Sequence, residues 1–157
     1  MQTSLDSLNL ANRYLRSADH IAYVTFPLVK DNRLIIAVLE NLNNSVSSAM
    51  DALLIHEKKN RGISIIPEDS ELKRQTVAAV ANKYNIIPDE LSLVSELQDM
   101  VAQRKKSEME FIRKDKYILW DTTHGKIREI TMELMKSYLI RAKPFIAKIN
   151  GALKNAK

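Results

Sequence analysis

Three histidines, His20, His56 and His124, are the first side chains to consider for proton transfer or metal ligation, because imidazole titrates near neutral pH without special surroundings. None has a partner at metal-binding spacing: His20 follows Asp19, His56 precedes Glu57, and His124 stands in a Thr122-Thr123-His124-Gly125 turn. A di-iron bundle needs Glu-x-x-His on two helices, and the chain has no such pair. The absence of cysteine excludes thiolate zinc sites, thiol nucleophiles and disulfides. Glycines at 62, 125 and 151 only cannot build a phosphate-cradling loop, and Gly-x-Ser-x-Gly is missing. No cofactor and no metal is therefore expected.

The densest chemistry is basic and aromatic. Arg104, Lys105, Lys106, Arg113, Lys114 and Lys116 lie among Phe111, Tyr117 and Trp120. Residues 104–157 carry fourteen Lys/Arg against six Asp/Glu, residues 62–103 three against seven, and residues 1–61 seven against six, giving nets of +8, −4 and +1. Cations that displace counterions from phosphates, beside rings that offer stacking faces, are what nucleic-acid contact requires. The expected function is thus a non-enzymatic binding or interaction module that contacts nucleic acid, RNA favoured, or an acidic protein. A plainer reading makes the segment a solvated helix end, with Glu110 and Lys114 paired four residues apart and the aromatics buried.

A second polar cluster surrounds the exit of the first helix, where Arg13, Arg16, Asp19, His20, Tyr23, Lys30, Asp31 and Arg33 crowd a chain reversal. Arg13 and His20 are separated by six residues, a spacing that resembles the Arg-x(4–6)-His motif of HEPN-type helical-bundle ribonucleases. The resemblance covers eight residues and implies a metal-independent ribonuclease in which Arg13 and His20 of two protomers converge on RNA. A third class is a structural partner subunit, with Met100, Met109, Met132 and Met135 forming an adaptable apolar contact surface in a homo-oligomer or hetero-complex.

Helices must position these groups. Three glycines and four prolines in 157 residues are too few for the turns of an all-β fold, and 45% hydrophobic with 27% charged residues is the balance of a folded chain. Leu8, Ala11, Leu15, Ala18 and Ala22 recur at helical spacing over 4–24, with Thr3 or Ser4 as cap and Pro27 as a break. Ile35, Leu39, Leu42, Val46, Ala49 and Leu53 predict a long helix from Asp31 to Asn60, stopped by Gly62 in a left-handed conformation. Beside that stripe runs a polar line of Asn41, Asn44, Ser48 and Asp51, and His56 falls at the stripe's next position.

Asp69 or Ser70 should cap a third helix with Leu72, Val77, Val80, Ala81 and Tyr84 inward, ended by Asn85. Pro88-Asp89-Glu90 opens a fourth, with Val94, Leu97, Val101 and then Glu108 and Phe111 on its inner line. Lys116–Trp120 and Lys126–Ile130 are β-prone and flank a turn, so a small hairpin or extended segment fits near 116–130. Thr131 caps a last helix, with Leu134, Tyr138, Ala142, Phe145 and Ile149 inward and Pro144 as a kink. The expected fold is an all-α, up-and-down bundle of four to five helices forming one domain over 1–157. With no apolar run near the roughly 18 residues of a membrane span, and no leader-like start, the cytoplasm is the expected compartment.

Overall fold

The computed structural model describes residues 2–154; Met1 and residues 155–157, among them Lys157 of the charge count, lie outside the described residues. Five long helices form the bundle: α1 (Ser4–His20), α3 (Leu34–Lys59), α4 (Ser70–Val80), α5 (Pro88–Lys106) and α6 (Met132–Lys154). A short α2 (Phe26–Val29) follows α1, and a three-stranded antiparallel sheet of β1 (Met109–Arg113), β2 (Lys116–Asp121) and β3 (Lys126–Thr131) stands before α6. Among the described residues, no helix is long and apolar enough to cross a membrane.

The long helix α3 is the centre of the packing. Ile35, Leu39, Leu42, Val46, Ala49 and Leu53 are fully buried, and so are Val38, Ala52 and Leu54 on adjoining sides, so neighbours must cover more than one of its faces. It packs against α1, α4, α5 and α6. The contact with α1 is made close by small residues, Ala11, Ala18 and Ala22, and is pinned where the buried Ser45 hydroxyl donates to the Ala11 carbonyl at 2.7 Å.

Pro27 does not break the first helix as expected. Residues Ile21–Thr25 widen into a π-helical turn in which the Phe26 amide donates to the Ile21 carbonyl, five residues back, and the helix continues to Val29. Shifting the hydrogen-bond register ahead of proline absorbs its missing N–H. The chain reverses at Lys30, which is left-handed at φ 56°. The N-cap of α3 is Arg33, which makes no side-chain cap hydrogen bond, and Asp31 instead accepts from the Arg33 amide at 3.0 Å in the turn before the helix.

The far end of α3 departs from expectation by one residue. Arg61, at φ 64°, takes the left-handed position assigned to Gly62, and the Gly62 amide donates to the Glu57 carbonyl at 2.7 Å while that of Arg61 donates to Lys58 at 3.1 Å. This is a Schellman closure with arginine in the left-handed site. Glycine is needed at 62 for another reason: a Cβ there would collide with Oε2 of Glu57. Glu57 is 3% exposed and accepts from the Tyr84 hydroxyl and from Lys83 Nζ at 3.0 Å, tying α3 to the 3-10 turn Ala81–Tyr84. Elsewhere Asp69 caps α4 and Asn85 ends the turn after it at φ 58°, but Leu72, placed inward by the spacing, is 51% exposed.

Burial alone would raise the Glu57 pKa, yet the hydrogen bonds from Tyr84 and Lys83 outweigh it and hold the carboxyl below its ordinary value of 4.5. A group depressed on folding stabilises fully above its unfolded pKa and loses that contribution as pH falls through the folded value. Glu57→Gln should therefore lower stability at pH 7, and its deficit relative to native protein should shrink below about pH 4.5 in urea titrations. Gly62→Ala should cost about 1–3 kcal/mol, and markedly less in a Glu57→Ala background. Equal costs in the two backgrounds would show that the carboxylate does not set the glycine requirement.

Candidate nucleic-acid interface

The segment after α5 is a sheet with two unlike faces, and strand pairing fixes which residue lies on which. Glu110, Leu119 and Arg128 align across the strands, as do Ile112, Tyr117 and Ile130; Leu119, Tyr117 and Ile130 are buried in the core cluster of the bundle. The alternate residues form the other face: Met109, Trp120 and Ile127 in one row, Phe111, Ile118 and Glu129 in the next, then Arg113, Lys116 and Thr131. Alternation along a strand makes this division unavoidable once one face is packed.

That outer face is apolar and rimmed with cations. Ile127 is 60% exposed, Met109 48% and Phe111 38%, Trp120 is half-buried, and Ile118 is buried there outside the bundle's core cluster. Phe111, Ile118 and Ile127 line a hollow of about 360 Å³ together with Arg113, Lys114, Lys116 and Glu129. Lys116 pairs with Glu129 at 3.1 Å, which leaves Arg113 and Lys114 as cations without a carboxylate partner among the described residues. They sit at the two-residue turn joining β1 and β2, where Lys114 is left-handed at φ 58°.

The structure divides the basic and aromatic residues singled out by sequence. Phe111, Arg113, Lys114 and Lys116 meet at the hollow, with Trp120 on the same face. Lys105 and Lys106 are exposed on the last turn of α5. Tyr117 faces inward at 8% exposure, its hydroxyl donating to Glu110 Oε1 at 2.7 Å, so its ring offers no stacking surface. Arg104 donates to Glu40 at 2.7 Å and to Glu110 at 3.0 Å, joining α5 to α3 and β1. The Arg104 guanidinium is the main reason that the Glu110 carboxyl is held below its usual range, against burial and with help from Tyr117. Glu110 therefore does not pair with Lys114 along a helix: both lie outside α5, as do Glu108 and Phe111.

The turn between β2 and β3 is held by two carboxylates, Glu108 from the α5–β1 connection and Asp121 at the end of β2. Glu108 accepts from the hydroxyls and amides of Thr122 and Thr123, which draw its carboxyl down to about 2. Asp121, 8% exposed, accepts from the His124 amide at 3.2 Å and lies 2.9 Å from its Nδ1, while Gly125 is left-handed at φ 66°. Glu108 and Asp121 thus cap the backbone amides of the turn, and the threonine hydroxyls and the His124 ring bond to the same two carboxylates.

The remaining candidates lie elsewhere. Arg13 and His20 are both exposed, two turns apart on α1, and neither meets a carboxylate among the described residues. Asp19 pairs with Lys143 at 2.8 Å, and Lys136 and Lys143 flank the Tyr23 ring. His56 is half-buried, edge-on to Tyr84 and 3.0 Å from the Asn60 amide. Met100, Met132 and Met135 belong to the bundle core, leaving only Met109 of the four methionines at the surface.

The strand that sequence reasoning missed is β1, and with it the hollow. Fold and site together define a helical bundle that carries a three-stranded sheet with one apolar, basic-rimmed face. Comparison with family models, curated proteins and solved structures finds no match to this chain.

Arg104, placed in the binding set by sequence, bridges Glu40 of α3 and Glu110 of β1. Arg104→Gln should destabilise by about 1 kcal/mol and speed amide hydrogen exchange in β1 relative to α3; unchanged exchange in β1 would show that the bridge does not hold the strand.

Proposed function

We propose that the protein is a binding module for single-stranded nucleic acid, RNA favoured, and that its contact surface is the outer face of the sheet. The observation that carries this reading is the hollow in which Phe111, Ile118 and Ile127 lie beside Arg113, Lys114 and Lys116. An exposed ring on a strand can stack an unpaired base, and cations at its rim can take the adjoining phosphates. A duplex hides its base faces, so single strands are the natural occupants. Tyr117 and Leu119 of β2 and Ile130 of β3 enter the bundle core, and β1, which carries Phe111, is held by its pairing with β2.

Fluorescence anisotropy with a labelled single-stranded RNA, duplex DNA and polyglutamate at two salt concentrations tests this. Phe111→Ala should weaken RNA binding by about tenfold or more, since stacking contributes about 1–3 kcal/mol per base. Arg113→Gln should reduce the salt slope by about 0.7 and weaken all single-stranded sequences alike. Absent or salt-independent binding would remove the reading; tighter binding of polyglutamate than of RNA would transfer the surface to an acidic protein.

A further inference from the structure

Two charged regions that are about 80 residues apart in sequence meet at one end of the sheet. The Asn32 side-chain amide donates to the backbone carbonyl of Lys114 at 2.8 Å, which fastens the reversal between α2 and α3 to the β1–β2 turn. That reversal carries Lys30 and Arg33, both exposed, and Arg33 has a side-chain exposure of 78% even while pairing with Asp31. The turn carries Arg113 and Lys114. Lys30 and Lys114 are both left-handed, at φ 56° and 58°, a conformation that fixes the course of each backbone tightly for a residue with a Cβ. The bond to Asn32 accounts for part of that fixation, because it engages the carbonyl of the left-handed Lys114 itself.

We infer that the α2–α3 reversal is a second phosphate-contacting segment, and that a single strand stacked on the outer face of the sheet continues past Arg113 and Lys114 onto Lys30 and Arg33. The inference rests on the reading of the sheet face as a nucleic-acid surface and extends it by naming the direction the strand leaves. Cations predominate along that exit: Arg33 and Asp31 neutralise each other as a pair, which leaves Lys30, Arg113 and Lys114 against the single carboxylate Asp115. Phosphates along the strand are spaced so that a few nucleotides beyond the stacked base would reach from one segment to the other, whereas a very short oligonucleotide would occupy the hollow alone.

Ligand length therefore separates the two contacts. Lys30→Asn removes a charge at a position where asparagine accepts the left-handed backbone, and Asn32→Ala releases the tether; both are read by anisotropy against a trinucleotide and a decanucleotide of single-stranded RNA. Native protein should bind the longer ligand more tightly. Lys30→Asn should weaken the decanucleotide about twofold to fivefold, lower its salt slope by about 0.7, and leave the trinucleotide unchanged. Asn32→Ala should act in the same sense without changing net charge, and circular dichroism confirms that both variants stay folded. If neither substitution affects the decanucleotide while Phe111→Ala still weakens both ligands, the reversal is no part of the site and the sheet reading stands. If both lengths weaken equally, the effect is general electrostatics and the directed exit is wrong. If native protein binds neither ligand, both proposals fall together.

Discussion

The structure is organised by the burial of α3, whose apolar residues occupy more than one side and cannot be satisfied by a single neighbour. Helices α1, α4, α5 and α6 are each drawn against it, and the small residues of α1 allow the closest of these approaches. Everything attached to the bundle inherits its geometry from that core. The three-stranded sheet is anchored to the bundle because Tyr117, Leu119 and Ile130 enter the same cluster. Arg104 adds a polar brace from α5 to β1 and α3.

Packing one face of the sheet leaves the other exposed, and here the residues left outside are not those of an ordinary solvent face. A typical half-buried sheet alternates apolar inside with polar outside. This one places Met109, Phe111 and Ile127 outside and exposed, around a buried Ile118 and a half-buried Trp120. The cations at its rim are held by backbone geometry: Lys114 occupies a left-handed turn position and Asn32 fastens it from another element. A surface that is apolar at its centre and basic at its edge is suited to a ligand with flat faces and a charged backbone.

Much of the bundle was legible because its signals are local. The stripe of Ile35, Leu39, Leu42, Val46, Ala49 and Leu53, the cap at Asp69, the stop at Asn85 and the start at Pro88 all depend on residues within a few positions of one another. The misplaced features depend on partners distant in sequence or on unusual residues in familiar roles. Glycine at 62 suggested the left-handed stop, but Arg61 holds it and the glycine yields space to a buried carboxylate. Pro27 suggested a break, which the π-turn removed by a shift of register. Strand β1 was hidden because its turn contains lysine and aspartate where asparagine and glycine would have announced a hairpin, and because Glu110 mimicked a helical partner of Lys114. The candidate site was half legible for the same reason: its residue types stood in the sequence, but the face each one occupies follows only from pairing.

Binding at the outer face of the sheet is read directly by amide and indole chemical-shift mapping during titration with a short single-stranded RNA. It predicts saturable shifts at Phe111, Arg113, Lys114, Ile118 and Ile127 and at the Trp120 indole, with α1 unmoved. Shifts centred on Arg13 and His20, with the sheet silent, would contradict it and move the site to the first helix.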